Sequence, residues 1–144
     1  MVNIKTFTTF VSMETFVNKA CAIAVENVAK HVTEELRSYI QEEFYNKYQP
    51  LIYDRTYQFL NSPTYNMLNN TSAIVFVNTD IMHYLAGEYD YHGEDVAYYA
   101  SLGWHGSPNI ITEGHYWEDF IEWANKNIPV LMKQELKKQG LNVV

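Results

Sequence analysis

Four of the five histidines lie in a part of the chain that is also rich in carboxylates. His83, His92, His105 and His115 fall between positions 80 and 115. Imidazole and carboxylate groups are the ligands that zinc and iron hydrolases use. The gaps between successive histidines are 9, 13 and 10 residues, and no His-x-His or His-Glu-x-x-His spacing occurs. Hydrogen-bonded or interface histidines are therefore favoured. A small metal-dependent hydrolase that uses His83, His92 and His105 with the neighbouring carboxylates stays as an alternative.

Other catalytic patterns are absent from the sequence. Ser101 and Ser107 lack the flanking glycines of a nucleophile elbow, and the five glycines between positions 87 and 114 are too scattered to cradle a phosphate. Cys21 is the only cysteine, which excludes an intrachain disulfide and a metal site built on several thiolates. We therefore predict no catalytic residues, no metal and no cofactor.

A long amphipathic helix precedes this region. Apolar residues recur every three or four positions from Val17 to Phe44, which predicts a helix over about 12–47 that begins near Ser12. Such a helix measures roughly 54 Å at 1.5 Å per residue, whereas a globule of this chain length is only about 37 Å across. The helix must therefore break or pack on a neighbouring subunit.

A second amphipathic helix is predicted at the C-terminal end, over about 116–139. Pro129 should kink or split it, and Gly140 is a natural stop. Strands and a long irregular region are expected between the helices, over about 51–115. A short helix in GEDVAYYASLG is one option within this region.

The clearest strand is TSAIVFVNTD, residues 71–80, an apolar run between turn-forming residues. We predict one α+β domain over residues 1–144, in which a long N-terminal helix and a C-terminal helix pack on a small, mainly antiparallel sheet. No run of about 18 apolar residues is present to span a membrane, and the N-terminus lacks a signal-peptide pattern. A soluble protein without a membrane partner is expected.

The net charge of −7 is concentrated in the middle of the chain. No lysine or arginine lies between Arg55 and Lys126, an interval that holds nine of the seventeen acids. Binding to nucleic acid requires clustered basic residues, so this interval is a poor partner for a duplex. A solvated acidic surface that keeps the protein soluble is the simplest interpretation.

Tyrosine is concentrated too, with eleven of the twelve between Tyr39 and Tyr99. A small core cannot easily provide hydrogen-bond partners for so many tyrosine hydroxyl groups, and tyrosine is a preferred residue at protein interfaces. Arg55 can stack on a ring and reach an acidic partner. The alternative is that Tyr53 and Tyr57 simply alternate on a strand face. We predict an interface formed by seven residues: Tyr45, Tyr48, Tyr53, Arg55, Tyr57, Trp104 and His105.

The order of long helix, tyrosine-rich stretch, small sheet and terminal helix resembles the minor structural proteins of long-tailed bacteriophages, the tail-completion or head–tail joining proteins. Their Tyr-x-Pro-x-x-Tyr-x-Arg stretch matches Tyr48, Pro50, Tyr53 and Arg55. Their basic last helix with a Gly-hydrophobic-Asn tail matches five residues: Lys137, Lys138, Gly140, Leu141 and Asn142. The Arg-Pro segment that commonly leads into the last helix is replaced here by EGHYWEDF. A tail terminator or a head-closure protein of the same neck is therefore the alternative identity.

The resemblance implies a non-enzymatic virion protein, made in the bacterial cytoplasm, that forms a sixfold or twelvefold homo-oligomeric ring at the head–tail junction. It implies neighbouring neck, portal-adaptor or tail-tube proteins as partners, and DNA that passes without specific binding. An acidic lining would repel phosphate and let DNA slide. The same acids on an outer loop are the alternative. The candidates for the lining are Asp80, Glu88, Asp90, Glu94 and Asp95.

Overall fold

The computed structural model describes residues 5–51, 54–86, 88–105 and 110–143. Two long helices and two small antiparallel hairpins make up the fold, which confirms the predicted α+β class. The elements, in chain order, are α1 (Phe10–Glu43), a 3-10 turn (Tyr45–Lys47), β1 (Pro63–Asn69), β2 (Ser72–Val77), a second 3-10 turn (Thr79–Ile81), β3 (His83–Ala86), β4 (Tyr89–His92), α2 (Gly93–Ser101) and α3 (Tyr116–Lys138).

Helix α1 begins earlier than the sequence pattern indicated. Thr9 is the N-cap, and its hydroxyl accepts a hydrogen bond from the Ser12 backbone N–H at 3.1 Å. The Thr9 N–H donates in return to Ser12 Oγ at 3.3 Å, so the two residues form a reciprocal capping box. The helix runs unbroken for 34 residues, roughly 51 Å at the standard rise. It ends at Glu43, before the predicted position 47.

Helix α3 lies antiparallel along α1. The rings of Tyr39 and Phe120 meet at 6.1 Å near one end of the pair, and Asn27 Nδ2 donates to Glu135 Oε2 at 3.1 Å further along. The apolar face of α1 is buried against α3 and the first hairpin, as its periodicity predicted. The buried core includes Val28, Val32, Leu36, Ile40, Tyr45, Phe59, Met82, Ala100, Tyr116, Phe120 and Ala124.

Pro129 does not split α3, contrary to one prediction, because the helix continues through it to Lys138. Proline leaves the carbonyl four residues earlier, at Asn125, without its helical partner. Both residues are exposed, so water can satisfy that carbonyl. Gly140 ends the helix as predicted. Its φ is +87°, and the Leu141 N–H donates back to the Leu136 carbonyl at 3.0 Å.

The first hairpin pairs the predicted strand with one that the sequence did not indicate. β2 covers most of the apolar run, and β1 pairs with it antiparallel, with Tyr65 opposite Val75. PTYNMLN contains a proline and two asparagines, which disfavour a strand. β1 forms because its backbone pairs with β2 and because it packs against α1. The Tyr65 hydroxyl also donates a hydrogen bond to Glu26 Oε1 on that helix at 3.3 Å.

The region predicted to be irregular contains a second hairpin and the short helix α2. β3 and β4 pair antiparallel, and α2 occupies the GEDVAYYAS part of the stretch named above. A Cβ at Gly93 would lie 2.0 Å from the Thr79 carbonyl oxygen, so only glycine lets the start of α2 approach the second 3-10 turn.

The segment before α3 packs against the end of α1. A Cβ at Gly114 would lie 2.1 Å from the Glu43 carbonyl oxygen, so the absence of a side chain allows this close approach. Trp104 and Ile111 form an isolated antiparallel bridge, and the His105 N–H donates to the Ile110 carbonyl at 3.0 Å. This packing brings His105 beside the aromatic residues that follow α1.

Candidate functional site

Tyr45 lies at the centre of the aromatic cluster after α1. Its ring stacks on that of Tyr57, with centroids 5.2 Å apart and planes inclined by 19°. The Arg55 guanidinium carbon lies 4.9 Å from the Tyr45 ring centroid, and Arg55 Nη1 donates to the Tyr45 carbonyl oxygen at 2.8 Å. Arg55 therefore ties the chain after the 3-10 turn to the end of the helix by a hydrogen bond and a cation–π contact.

The prediction that Tyr45 is an interface residue is wrong, because only 6% of it is exposed. Phe44 meets its ring edge-on at 5.2 Å, and Phe59 contacts it at 6.4 Å. Burial, reinforced by the neighbouring Tyr84, raises the pKa of the Tyr45 hydroxyl. The ring is part of the core of the subunit and is not available to a partner.

Tyr57 forms the outer layer of the same stack. It is 44% exposed and has a φ of 56°, in the left-handed region that residues other than glycine rarely adopt. The turn at residues 58–61 holds this conformation, since the Asn61 N–H donates to the Tyr57 carbonyl at 3.0 Å. Tyr57 therefore does not lie on a strand, as the alternative interpretation required. One ring face rests on Tyr45 while the residue stays open to contact.

His105 is also buried, so its predicted place in an interface is wrong. Only 5% of it is exposed. Its ring stacks on Phe44 at 4.4 Å and 19°, and Nε2 lies 2.8 Å from Thr112 Oγ1. Burial, together with the nearby positive charge of Arg55, lowers the pKa of the imidazole to about 4. The ring is neutral near pH 7 and serves as a packed core histidine.

The remaining members of the predicted interface differ in position. Tyr48 is half-buried and tilts against His105, with ring centroids 5.1 Å apart. Trp104 is half-buried and stacks on Tyr99 at 5.0 Å and 12°. Tyr53 lies outside the described residues. Around the stack of Tyr45 and Tyr57, the side chains that are not buried are those of Tyr48, Arg55 and Tyr57, which we call the outer rim.

The five acids proposed for a lining are all exposed. They lie on the second 3-10 turn, the second hairpin and the first turn of α2. Asp90 is paired, since its Oδ1 lies 2.5 Å from His83 Nε2. Their exposure fits both interpretations, a lumen lining and an outer acidic surface.

The three histidines of the hydrolase alternative do not form one cluster, because His105 lies apart from the other two. His83 and His92 face each other across β3 and β4, with ring centroids 6.0 Å apart. His105 packs on Phe44 and Tyr48 instead. Within the described ranges, no group of three or more histidine, cysteine or acidic side chains is arranged to hold a metal ion.

Large apolar side chains are exposed at several places in the described part of the chain, a feature that sequence reasoning missed. Periodicity assigns a residue to a helix face, but it does not reveal whether another element covers that face. Large exposed apolar surfaces commonly mark interaction sites. The exposed residues include Phe10, Val11 and Met13 at the start of α1, Met67, Leu68 and Ile74 on the first hairpin, Leu85, Tyr89, Tyr98 and Leu102 on the second hairpin and around α2, and Trp117, Ile121 and Val130 on α3.

Most of the chain matches a known protein family. A family model described as YomN matches residues 9–138, from the cap of α1 to the last residue of α3. Comparisons with curated proteins and with solved structures found no match. None of the helices in the described part of the chain combines the length and the apolar character needed to cross a membrane.

Proposed function

We propose that the chain, which belongs to the YomN family, is a non-enzymatic structural protein of a phage virion. It is a subunit of a homo-oligomeric ring at the head–tail connector, with sixfold or twelvefold symmetry. Neighbouring neck, portal-adaptor or tail-tube proteins contact the ring, and DNA passes through it without specific binding. A tail terminator or head-closure protein of the same neck is the second candidate.

The observation that carries this proposal is the separation of the exposed apolar surfaces. A ring subunit contacts one neighbour through one surface and the next neighbour through a different surface. It also contacts the components above and below the ring. Phe10 at the start of α1, Leu68 on the first hairpin and Leu85 on the second are 72%, 64% and 74% exposed. Such apolar surfaces on different elements suit a subunit with several neighbours.

Two further observations agree with a phage protein of the kind proposed. YomN is the name of a gene of Bacillus phage SPBc2, which agrees with the phage proteins that the sequence resembles. The long helices and the small antiparallel hairpins occur in the order of elements on which the resemblance rests. The three histidines of the hydrolase alternative lie in two different surroundings, so no observation favours that activity.

The charge distribution also suits a channel for DNA. The five acids named above are exposed on the same part of the chain, where no lysine or arginine occurs in the sequence. Phosphate binding requires basic side chains, so such a surface repels a duplex. In the proposed ring these acids face the lumen.

Deletion of the gene in a phage that carries it tests the proposal. A tail-completion or joining protein is required to connect finished heads to finished tails, so the deletion strain should accumulate separate heads and tails. Electron microscopy of the lysate measures this, and a tagged copy should label the junction in complemented virions. Tails of abnormal length would favour the terminator role instead. Normal infectious virions without the protein would contradict both roles.

A further inference from the structure

The pair formed by α1 and α3 is electrically polarised from one end to the other. One end, residues 34–43 and 116–122, has seven acids and a single base, Arg37. The opposite end, residues 5–19 and 133–138, has five lysines and two acids, Glu14 and Glu135. The acids of the first end are Glu34, Glu35, Glu42, Glu43, Glu118, Asp119 and Glu122. The lysines of the second end are Lys5, Lys19, Lys133, Lys137 and Lys138.

The antiparallel packing of the two helices creates this polarity. Tyr39 of α1 contacts Phe120 of α3, so the acidic half of each helix lies at the same end. A Cβ at Gly140 would lie 3.7 Å from the Phe16 ring, so the basic halves also lie together. Phe16 and Tyr39 are 23 positions apart on one helix, a distance of roughly 35 Å. The two charged ends are therefore well separated.

A groove opens at the acidic end between the two helices. It is lined by Tyr39, Asp119, Glu122, Trp123, Lys126 and Asn127. Tyr39 and Trp123 are both half-buried, and each of their rings packs against Phe120. Aromatic rings beside carboxylates suit the side chain of a lysine, because its methylene groups pack on the rings while its ammonium group meets the acids.

The Tyr39 hydroxyl is partly buried and lies near several carboxylates of this groove. Burial, followed by the charges of Glu35, Asp119, Glu42 and Glu122, raises the pKa of Tyr39. Lys126 also lines the groove, but it is the only base among the lining residues. The groove therefore offers more negative than positive charge to an incoming side chain.

The basic end has the complementary properties. Lys133 and Lys137 are exposed and lie one turn apart on α3. Phe10 and Val11 at the start of α1 are 72% and 69% exposed. Lys5 Nζ lies over the Phe16 ring, 4.0 Å from its centroid. This end combines positive charge with uncovered apolar surface.

We propose that the acidic groove of one copy receives the basic end of the next copy, so that subunits associate head to tail. The two surfaces are different and lie at opposite ends of the subunit, which makes the contact heterologous. Heterologous contacts close into a ring when the rotation between copies allows it. The inference deepens the proposed ring and rests on it, because it assigns the surfaces through which neighbouring subunits meet. A second copy is the occupant because this chain carries both halves of the charge pattern.

Charge reversal in two separate variants tests the contact. Asp119→Lys with Glu122→Lys makes the groove basic, and Lys133→Glu with Lys137→Glu makes the other end acidic. Each variant alone brings like charges together, so self-association should weaken by at least about tenfold. In a mixture of the two variants, every contact between unlike variants joins opposite charges, and association should return. Sedimentation velocity of the full chain at low salt, up to about 1 mM protein, measures each case.

A matched control carries the same change in charge outside the helix pair. Asp54→Lys with Glu113→Lys alters two exposed acids that belong neither to α1 and α3 nor to the proposed lining, and it should associate as the wild type does. Circular dichroism checks that every variant is folded. A wild type that stays monomeric throughout, or a mixture that associates no better than either variant alone, would overturn the inference.

The outcome is separable from that of the proposed function. Labelling of the head–tail junction by the protein, combined with failure of the mixed variants to associate, would reject the head-to-tail contact and leave the connector role intact. Restored association of the mixed variants, combined with normal virions in the deletion strain, would support the contact and reject the connector role.

Discussion

Tyr45 and Tyr57 are stacked on each other, yet they belong to different regions of the molecule. Tyr45 is 6% exposed and Tyr57 is 44% exposed. The inner region around Tyr45 includes Phe59 and His105 and is closed by the core. The outer rim, with Arg55 and Tyr57, is open to solvent or to a partner. Twelve positions of sequence separate two rings of the same type, so residue type and spacing did not distinguish the packed ring from the accessible one.

The strongest test of this difference is truncation of the inner ring. Tyr45→Ala removes a buried ring and leaves a cavity, so the free energy of unfolding of the isolated subunit should fall by about 3 kcal/mol or more. Tyr45→Phe keeps the ring contacts and should cost only about 1 kcal/mol. Urea denaturation of both variants measures the two losses. A Tyr45→Ala protein as stable as the wild type would mean that the inner region is not core.

The buried histidine makes a pH-dependent contribution in the same region. The folded pKa of His105 is about 4, below the ordinary value of about 6.5. Between these values the unfolded chain binds a proton that the folded chain excludes. Stability should therefore be unaffected by His105 above about pH 6.5 and fall as the pH drops toward 4, by up to about 1.4 kcal/mol per unit.

The variant His105→Gln isolates this contribution, since it keeps a polar group near Thr112 but cannot titrate. The difference in unfolding free energy between wild type and variant should be constant above about pH 6.5. Between about pH 6 and 5 the wild type should lose stability relative to the variant. Denaturation series at several pH values provide the measurement. A difference that stays constant across this window would place His105 in contact with water.

Arg55 connects the two regions, and its loss should have an intermediate effect. Arg55→Ala removes the hydrogen bond to the Tyr45 carbonyl and the contact with the ring, so unfolding should become easier by about 1–2 kcal/mol. Arg55→Lys keeps the charge but loses the planar group that stacks. Its stability should lie between those of the wild type and the alanine variant. Thermal melting ranks the three proteins, and equal melting temperatures would show that Arg55 acts only at the surface.

The outer ring should have the smallest effect on the isolated subunit. Tyr57→Ala should change the free energy of unfolding by only about 0.5 kcal/mol, while weakening assembly by roughly 2 kcal/mol if the outer rim anchors a partner. Tyr57→Gly is a useful companion, because glycine adopts the positive φ without strain. It should be at least as stable as the alanine variant. Incorporation into rings or virions, set beside thermal melting, gives both quantities, and a large drop in melting temperature would assign Tyr57 to the core.

Several elements of the fold were predictable because their causes are local. The apolar period of α1 and α3 indicates helices wherever the rest of the chain lies, and Gly140 ends α3 through its own backbone conformation. Strand β1 was not predictable in this way, since PTYNMLN becomes a strand only when β2 pairs with it. Pro129 was misleading for a related reason. Its cost to α3 depends on whether the freed carbonyl reaches water.

The sequence by itself determined the fold class, the concentration of acids after Arg55 and the accumulation of tyrosines, because composition and periodicity do not depend on how the chain is packed. Only the tertiary structure decided that Tyr45 and His105 point into the core while Tyr57 lies outside. It also decided that the acidic halves of α1 and α3 share one end. Burial and charge separation depend on which distant segments meet, and contacts between residues far apart in the chain are not encoded in any local pattern.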